Sequence, residues 1–138
     1  MPKLTEKVNF TVYGIARPKG SMRAFVAGNR AVVTNNNPST KHWQNLVATM
    51  AQQNRPSKIF EDAVSVKLEF QFIRPKSIKE SQRPFPIVAP DIDKLQRCIL
   101  DGLTGIIYKD DCQVTNVVAS KSYGDEPMVI VEVREVHR

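Results

Sequence analysis

The sequence predicts an α+β fold in a single small domain, with a mixed β-sheet and two main helices. Segments that alternate with period two, as strands do, are interleaved with two segments of helical periodicity. A length of 138 residues favours one domain over residues 1–138. This length is sufficient to bury a core without disulfides or metals. No internal repeat and no linker divides the chain.

The first half of the chain predicts a strand, a hairpin and a helix. Residues 8–16 alternate with period two and predict the strand. Two short apolar runs flank the turn signal Gly28-Asn29 and predict the β-hairpin. The period then becomes that of an amphipathic helix, which Ser39 or Thr40 can cap. Positions i, i+3, i+4 and i+7 form an apolar stripe, which predicts core packing for Trp43, Leu46, Val47 and Met50.

The second half predicts a long strand, a loop, a second helix and two further strands. Residues 63–73 alternate clearly, and the four prolines and four cations that follow predict an exposed loop over residues 74–90. The second helix begins near Asp93 and ends at Gly102 or Gly105. Its buried stripe consists of Leu95, Cys98, Ile99 and Leu103. The last two strands, joined by the turn-forming GDEP, are VTNVVASKSY and MVIVEVREV.

The chain is basic, with 20 Lys+Arg against 14 Asp+Glu, a formal charge of +6 and a pI near 9.5. This charge suggests a polyanionic partner, most simply nucleic acid, although solubility alone also accounts for it. Two cation-rich loops offer contacts to backbone phosphates, which position DNA without reading its sequence. The cations that we expect to bind DNA are Arg17, Lys19 and Arg23 in the first loop, and Arg74, Lys76 and Lys79 in the second.

The two cysteines, Cys98 and Cys112, form no disulfide framework or CxxC motif, which indicates reduced thiols in a cytoplasmic protein. We expect Cys98 to be packed on its helix and Cys112 to be a small strand residue. The N-terminal residues lack the apolar core of a signal peptide, and no apolar run approaches membrane-spanning length. No membrane partner is therefore expected.

Five aspartates lie in one short window of this basic chain, in the segments PDIDKLQRCILDG and YKDD. Like charges repel, so such a cluster favours a cation among them. Hard cations such as Mg²⁺ prefer carboxylate oxygens, with water and phosphate completing the shell, so Asp91, Asp93 and one of Asp110 or Asp111 would suffice. Only two histidines are present, which argues against a His-based zinc site. The alternative is that Asp93 simply caps the second helix.

Arg97 follows Asp93 by four positions and precedes Asp101 by four, so all three share a helical face. Two roles remain open from this spacing. Arg97 forms a salt bridge on the helix, or its planar guanidinium holds the scissile phosphate or a charge that develops in the transition state.

The segment PDIDKLQRCILDGLTGIIYKDDCQV, from Pro90 to Val114, resembles the core motif of the RusA family of Holliday junction resolvases. That motif runs Asp-x-Asp-Asn, a helix with a basic residue, Asp-Ala/Gly-Leu, then Asp-Asp leading into a strand. The resemblance implies a RusA-like fold and a homodimeric, Mg²⁺-dependent endonuclease of DNA recombination and repair, with Mn²⁺ as a possible substitute. Such an enzyme makes paired nicks in four-way DNA junctions.

The resemblance also assigns roles to single residues. Asp91 and Asp93 match the first two catalytic aspartates of the family and Asp111 matches the third, with Asp110 as its neighbour. The essential lysine of the family falls at Arg97, where the positive charge is kept but the side chain differs. The asparagine after the second aspartate is Lys94 here, and we expect this lysine to contact DNA.

Two alternatives to a junction endonuclease remain open from the residues. The first is a non-catalytic DNA-binding module, whose aspartates cap a helix and pair with Lys94, Lys109 and Arg97. The second is an enzyme that binds a nucleotide diphosphate through Mg²⁺ and a DxD motif. The segment GLTG does not support the second alternative, because it is too short for a phosphate-binding loop and lacks the lysine.

Overall fold

The computed structural model describes residues 6–19, 23–27, 30–34 and 38–137, and for the second and third of these ranges the backbone alone. The described residues form six β-strands and two α-helices. The strands are β1 (Lys7–Tyr13), β2 (Arg23–Ala27), β3 (Arg30–Thr34), β4 (Val64–Phe72), β5 (Val114–Tyr123) and β6 (Met128–Glu135). The helices are α1 (Pro38–Gln53) and α2 (Ile92–Leu103), and a short 3-10 turn covers Asp111–Gln113. The α+β class is confirmed.

The main sheet has the order β1-β6-β4-β5, with β6 antiparallel to both β1 and β4, and β5 parallel to β4. The sheet is therefore mixed, as predicted. Strands β2 and β3 pair with each other in a separate antiparallel hairpin. The predicted turn at Gly28-Asn29 lies outside the described residues.

The parallel pair β4 and β5 requires a crossover connection, which α2 provides. Val64 pairs with Val114 where both strands begin, and Phe72 pairs with Tyr123 where both end. Helix α2 returns between these two ends, so its N-terminus lies at the Phe72 end of the sheet. Its C-terminus lies at the Val64 end, near the start of both strands. The direction of α2 determines at which end of the sheet each aspartate lies.

Both helices pack on one face of the sheet. The alternating residues of β1, β4 and β6 are buried there, together with the whole predicted stripe of α2, including Cys98. Each fully buried Val, Leu or Ile contributes about 1.5–3 kcal/mol of transfer free energy. The predicted stripe of α1 needs one correction, because Leu46 is 40% exposed. The buried apolar positions of this helix are Trp43, Val47 and Ala51, and Met50 is partly buried against them.

The helix termini also differ from the prediction. Helix α1 begins at Pro38, so Ser39 and Thr40 lie in its first turn and are not its cap. Asp91 occupies the N-cap position of α2, so capping by Asp93 is wrong. Helix α2 ends at Leu103, and Gly105 two residues later has φ +83°, the left-handed conformation that favours glycine after a helix.

A membrane-spanning segment is not found in the helices that the structure describes, since each of them is too short or too polar.

Candidate active site

Asp91 and Asp93 lie together at the N-terminal end of α2. Both line a cleft of about 540 Å³ with Lys121 of β5 and the end of the loop 74–90. We call this the Lys121 cleft. Asp91 has extended backbone (φ −71°, ψ 141°), and Asp93 is in the first helical turn. The positive end of the helix dipole therefore lies beside both carboxylates.

The carboxylates of these two residues have no partner in the part of the chain that the structure describes. Asp91 makes no capping hydrogen bond with its side chain, although it occupies the cap position. Neither Asp91 nor Asp93 forms an ion pair within 4.0 Å with any residue that the structure describes. Both carboxylates are exposed, so their oxygen atoms are accessible to a ligand.

A second cleft, of about 560 Å³, lies on the other flank of Asp91. Arg17 and Lys94 line it together with Asp91 and the apolar residues around Pro18 and Phe72. We call this the Arg17 cleft. The segment Ala89–Asp91 separates the two clefts, so a pair of cations stands on one flank of Asp91 and Lys121 on the other. This arrangement suits an anionic ligand that passes over Asp91.

Arg97 lies one turn further along α2 and is exposed. In the described part of the chain it forms no ion pair within 4.0 Å, so the predicted salt bridge with Asp93 or Asp101 is absent. Asp101 instead pairs with Lys19, whose Nζ lies 3.0 Å from Oδ2. The guanidinium of Arg97 is therefore available to a ligand, and its role as a phosphate clamp stays a prediction.

Asp110 and Asp111 stand at the 3-10 turn before β5. The Asp110 carboxylate accepts a hydrogen bond from Cys112 N at 3.0 Å, and this bond holds the pKa of Asp110 below its usual value. A hydrogen bond with Asp110, slight desolvation and repulsion from Asp110 and Asp101 raise the pKa of Asp111. The pair therefore retains a proton more readily than two separate aspartates would.

The side chain of Gln113 fixes this turn to the start of β4. Its Oε1 accepts from the backbone N–H groups of Lys109 and Asp110, each at 2.9 Å. Its Nε2 donates to the carbonyl oxygens of Phe60 and Asp62, each at 2.9 Å. Asp111 is thereby held at the Val64 end of the sheet.

Within one chain, Asp111 does not join Asp91 and Asp93. Lys121, which reaches the segment before Asp91, follows Val114 by seven positions, a length of about 23 Å at roughly 3.3 Å per residue of strand. The ligands of one Mg²⁺ ion lie within about 2.1 Å of it. The chain therefore presents two carboxylate groups, the Asp91–Asp93 pair at the Phe72 end and the Asp110–Asp111 pair at the Val64 end.

A different group of three side chains meets metal-ligand spacing among the described residues. Oxygen or nitrogen atoms of Asp62, Glu135 and His137 lie within 4.8 Å of one another. Here the imidazole bridges two carboxylates, with Nδ1 3.0 Å from Asp62 and Nε2 3.0 Å from Glu135. No sequence pattern connects these residues, because Asp62 is far from the other two along the chain.

Several predicted DNA-binding cations have partners within the protein. Lys19 pairs with Asp101, and Arg74 donates to the carbonyl oxygen of Arg83 at 3.1 Å while its guanidinium lies 4.7 Å from the ring centroid of Tyr123. Lys76 and Lys79 are exposed on the loop 74–90. The side chain of Arg23 lies outside the described residues.

The two predictions about the cysteines have different outcomes. Cys112 is exposed on the 3-10 turn, so its expected place in a strand is wrong, and both cysteines are free thiols as expected.

Lys121 was missed. Its signal is the period of two in β5, which puts Lys121 on the helix-facing side with Val117 and Ala119. A lysine at such a position needs a buried partner.

Sequence comparison relates this chain to known proteins. The sequence model of the family described as Endodeoxyribonuclease RusA matches residues 16–134. The chain is 34% identical to the uncharacterized protein YqaN of Bacillus subtilis (strain 168), in an alignment that covers 94% of this chain and 96% of YqaN. It is 30% identical over 87 residues to the crossover junction endodeoxyribonuclease rusA of Lactococcus phage r1t, covering 61% of this chain and 65% of the phage protein.

The matched family is one of endodeoxyribonucleases, so the class of this protein is that of the nucleases. The chain belongs to the RusA family, as its motif predicted. Membership points to nuclease activity of the kind that resolves Holliday junctions.

Proposed function

We propose that this protein is a Mg²⁺-dependent endonuclease that resolves four-way DNA junctions by paired nicks, in recombination and repair. One observation carries the proposal beyond the family. Among the described residues, the carboxylates of Asp91 and Asp93 have no ion-pair partner at a helix N-terminus, and cations lie on both flanks. Carboxylates that had only a structural role would be capping the helix or paired.

The donor set fits a hard divalent cation. Asp91 and Asp93 offer exposed carboxylate oxygens and no soft ligand, which suits Mg²⁺, or Mn²⁺ in its place. Bound there, such an ion supplies Lewis-acid stabilisation of a phosphate and a water that loses its proton near neutral pH. The chain supplies the two aspartates, the third predicted ligand being Asp111.

The surrounding cations have the task of holding the DNA backbone. Arg17 and Lys94 face the Arg17 cleft beside Asp91 and bind phosphate oxygens there. Arg97 follows one turn along the same helix, and its fork of donors suits the phosphate that is being cut. These contacts position the strand and carry no sequence information.

A homodimer completes this site in our proposal. Since Asp111 stands at the opposite end of α2 from Asp91 and Asp93, Asp111 of the partner subunit is the carboxylate that reaches them. In a two-fold dimer each contact occurs twice, so one interface forms two such sites. Two sites related by a two-fold axis match the paired cuts that a four-way junction requires.

The contacts count against the non-catalytic alternative. That alternative needs Asp93 as a helix cap and ion pairs from the aspartates to Lys94, Lys109 and Arg97. Among the described residues, Lys109 pairs with Glu61 at 2.9 Å, and Lys94 and Arg97 have no carboxylate within 4.0 Å. Among the described residues, the two carboxylates of the DxD segment therefore have no structural role as a cap or an ion pair.

A cleavage assay on synthetic DNA tests the function. The substrates are a four-way junction and a linear duplex of the same sequence, each incubated with Mg²⁺, Mn²⁺ or EDTA. We expect paired nicks in the junction with either metal, and none with EDTA. Equal cleavage of the duplex would overturn junction selectivity, and binding without cleavage in both metals would favour the non-catalytic module.

A further inference from the structure

The end of the loop 74–90 carries the backbone directly into Asp91. Residues 88–90 belong to neither helix nor strand, and two of them, Val88 and Ala89, line the Lys121 cleft. The direction of the Asp91 carboxylate therefore depends on whatever fixes these three residues to the rest of the protein.

The side chain of Lys121 holds these residues in place by two hydrogen bonds. Its ammonium donates to the carbonyl oxygen of Val88 at 3.0 Å and to that of Pro90 at 2.9 Å. In the described part of the chain no other hydrogen bond connects residues 88–90 to the sheet. Lys121 itself is held on β5, where it pairs with Phe70 of the buried strand β4.

The rest of the loop is attached to the same end of β5. The Tyr123 hydroxyl lies 3.4 Å from the guanidinium of Arg83, and its ring lies under Arg74. Tyr123 thus anchors the first half of the loop, and Lys121 anchors the half that leads to the aspartates. The two residues share the helix-facing side of β5.

We propose that Lys121 is a positioning residue of the active site. It fixes the backbone before Asp91 through Val88 and Pro90, so that Asp91 and Asp93 present their oxygens in one geometry. An ammonium has three donors, and two are used by the carbonyls. Its charge also offsets the repulsion between the two carboxylates that share its cleft. The inference rests on the proposed function for its catalytic consequence alone.

The test compares Lys121→Met, which keeps the length and removes the donors, with Lys121→Arg, which restores donors and charge. Lys67→Met is the matched control, since Lys67 lies on the neighbouring strand and on the opposite, exposed face. For Lys121→Met we expect kcat on a junction to fall about 10²-fold, as a displaced catalytic group does, with junction Kd in Ca²⁺ near wild type. Lys121→Arg recovers much of kcat, and Lys67→Met changes neither.

A second measurement does not depend on catalysis. Backbone ¹⁵N relaxation reports the order parameters of Val88, Ala89 and Asp91. We expect values of about 0.85 in wild type and below about 0.6 in Lys121→Met, with α1 unchanged. Unchanged order parameters would overturn the proposal, as would a Lys121→Met variant that loses affinity for DNA but keeps kcat. If wild type cleaves no junction, the proposed function fails and the relaxation data still decide the role of Lys121.

Discussion

At the scale of single residues, the five aspartates of the acidic window have different surroundings. Asp101 pairs with Lys19, and Asp110 caps the 3-10 turn. Asp91 and Asp93 share a cleft with Lys121, and Asp111 is next to Asp110. The chain tolerates five carboxylates in a short window because the fold separates them and gives two of them structural partners. The repulsion that remains is within the two exposed pairs.

The first prediction concerns Asp91 and Asp93, which have no ion-pair partner among the described residues. We expect Asp91→Asn and Asp93→Asn to abolish junction cleavage in Mg²⁺, and to leave junction binding unchanged or tighter because negative charge beside phosphate is removed. Asp125→Asn, on the exposed turn before β6, is the control and should cleave as wild type does. Gel-shift titration and a single-turnover cleavage assay measure the two quantities. Full activity of either variant would remove that residue from the site.

The second prediction concerns Arg97, which is exposed and lacks an ion-pair partner among the described residues. If it clamps the phosphate, Arg97→Lys should keep substantial activity, since the charge is retained. Arg97→Ala should lose about 10²–10³ in kcat, the usual effect of one well-placed donor. Thermal unfolding should change little in both variants, because no described contact is lost. An Arg97→Ala variant as fast as wild type would leave Lys94 as the next cation to test.

At the scale of elements, the segment from Ile15 to Lys19 is attached to both helices. Thr40 Oγ1 of α1 donates to the carbonyl oxygen of Pro18 at 3.0 Å, and Lys19 N donates to that of Lys94 on α2 at 3.0 Å. The Lys19 side chain reaches Asp101 and lies 3.5 Å from Gln44 Oε1. These contacts hold Arg17 at its cleft, so Lys19 acts within the protein while Arg17 lines the Arg17 cleft.

The third prediction separates these two cations by salt dependence. We expect Arg17→Met to reduce the slope of log Kd against log salt by about one, as one lost phosphate contact does. Lys19→Met should change the slope less and should destabilise the protein by about 1 kcal/mol, through loss of a half-buried ion pair. Lys41→Met, exposed on α1, is the control for both measurements. A full unit of slope lost in Lys19→Met would return Lys19 to the DNA-binding surface.

Sequence patterns predict the elements well and their contacts less well. Period two and period 3.6 locate the long strands and both helices that the structure describes, because burial on one face imposes those periods on the residues. They place Asp91 and Asp93 correctly beside a helix start. The partners of Lys19 and Lys121 could not be predicted, since the residues they contact are distant in sequence and depend on how α2 returns across the sheet. The same return direction separates Asp111 from the DxD segment, and a linear motif cannot reveal this.

At the scale of the whole molecule, the parallel pairing of β4 and β5 sets the architecture of the site. A parallel pair forces α2 to run back along the sheet, so the two halves of the motif stand at opposite ends of one helix. Helix α2 spans 12 residues, about 18 Å at 1.5 Å per residue. Side chains of aspartate cannot bridge that length, and for this reason our proposal assigns the third carboxylate to a second copy of the chain.

The last prediction tests this shared site with mixed dimers. Asp91→Asn and Asp111→Asn are each expected to be inactive alone. If each site is shared between the subunits, a dimer with one subunit of each kind contains two different sites. One site combines both substitutions, and the other combines wild-type Asp91 with wild-type Asp111 of the partner subunit. We therefore expect the mixture to nick a cruciform plasmid in one strand, yielding open circles without paired cleavage.

A site built within one chain gives a different result, because each site of the mixed dimer then carries one substitution and the mixture stays inactive. The control mixes Asp91→Asn with Asp93→Asn. Both residues lie in the same cleft of one chain, so every site of that mixed dimer keeps one substitution under either arrangement. Tagged subunits, co-purified through two affinity steps, ensure that only mixed dimers are assayed. Nicking by the first mixture and none by the second would place Asp111 in the site of the partner subunit.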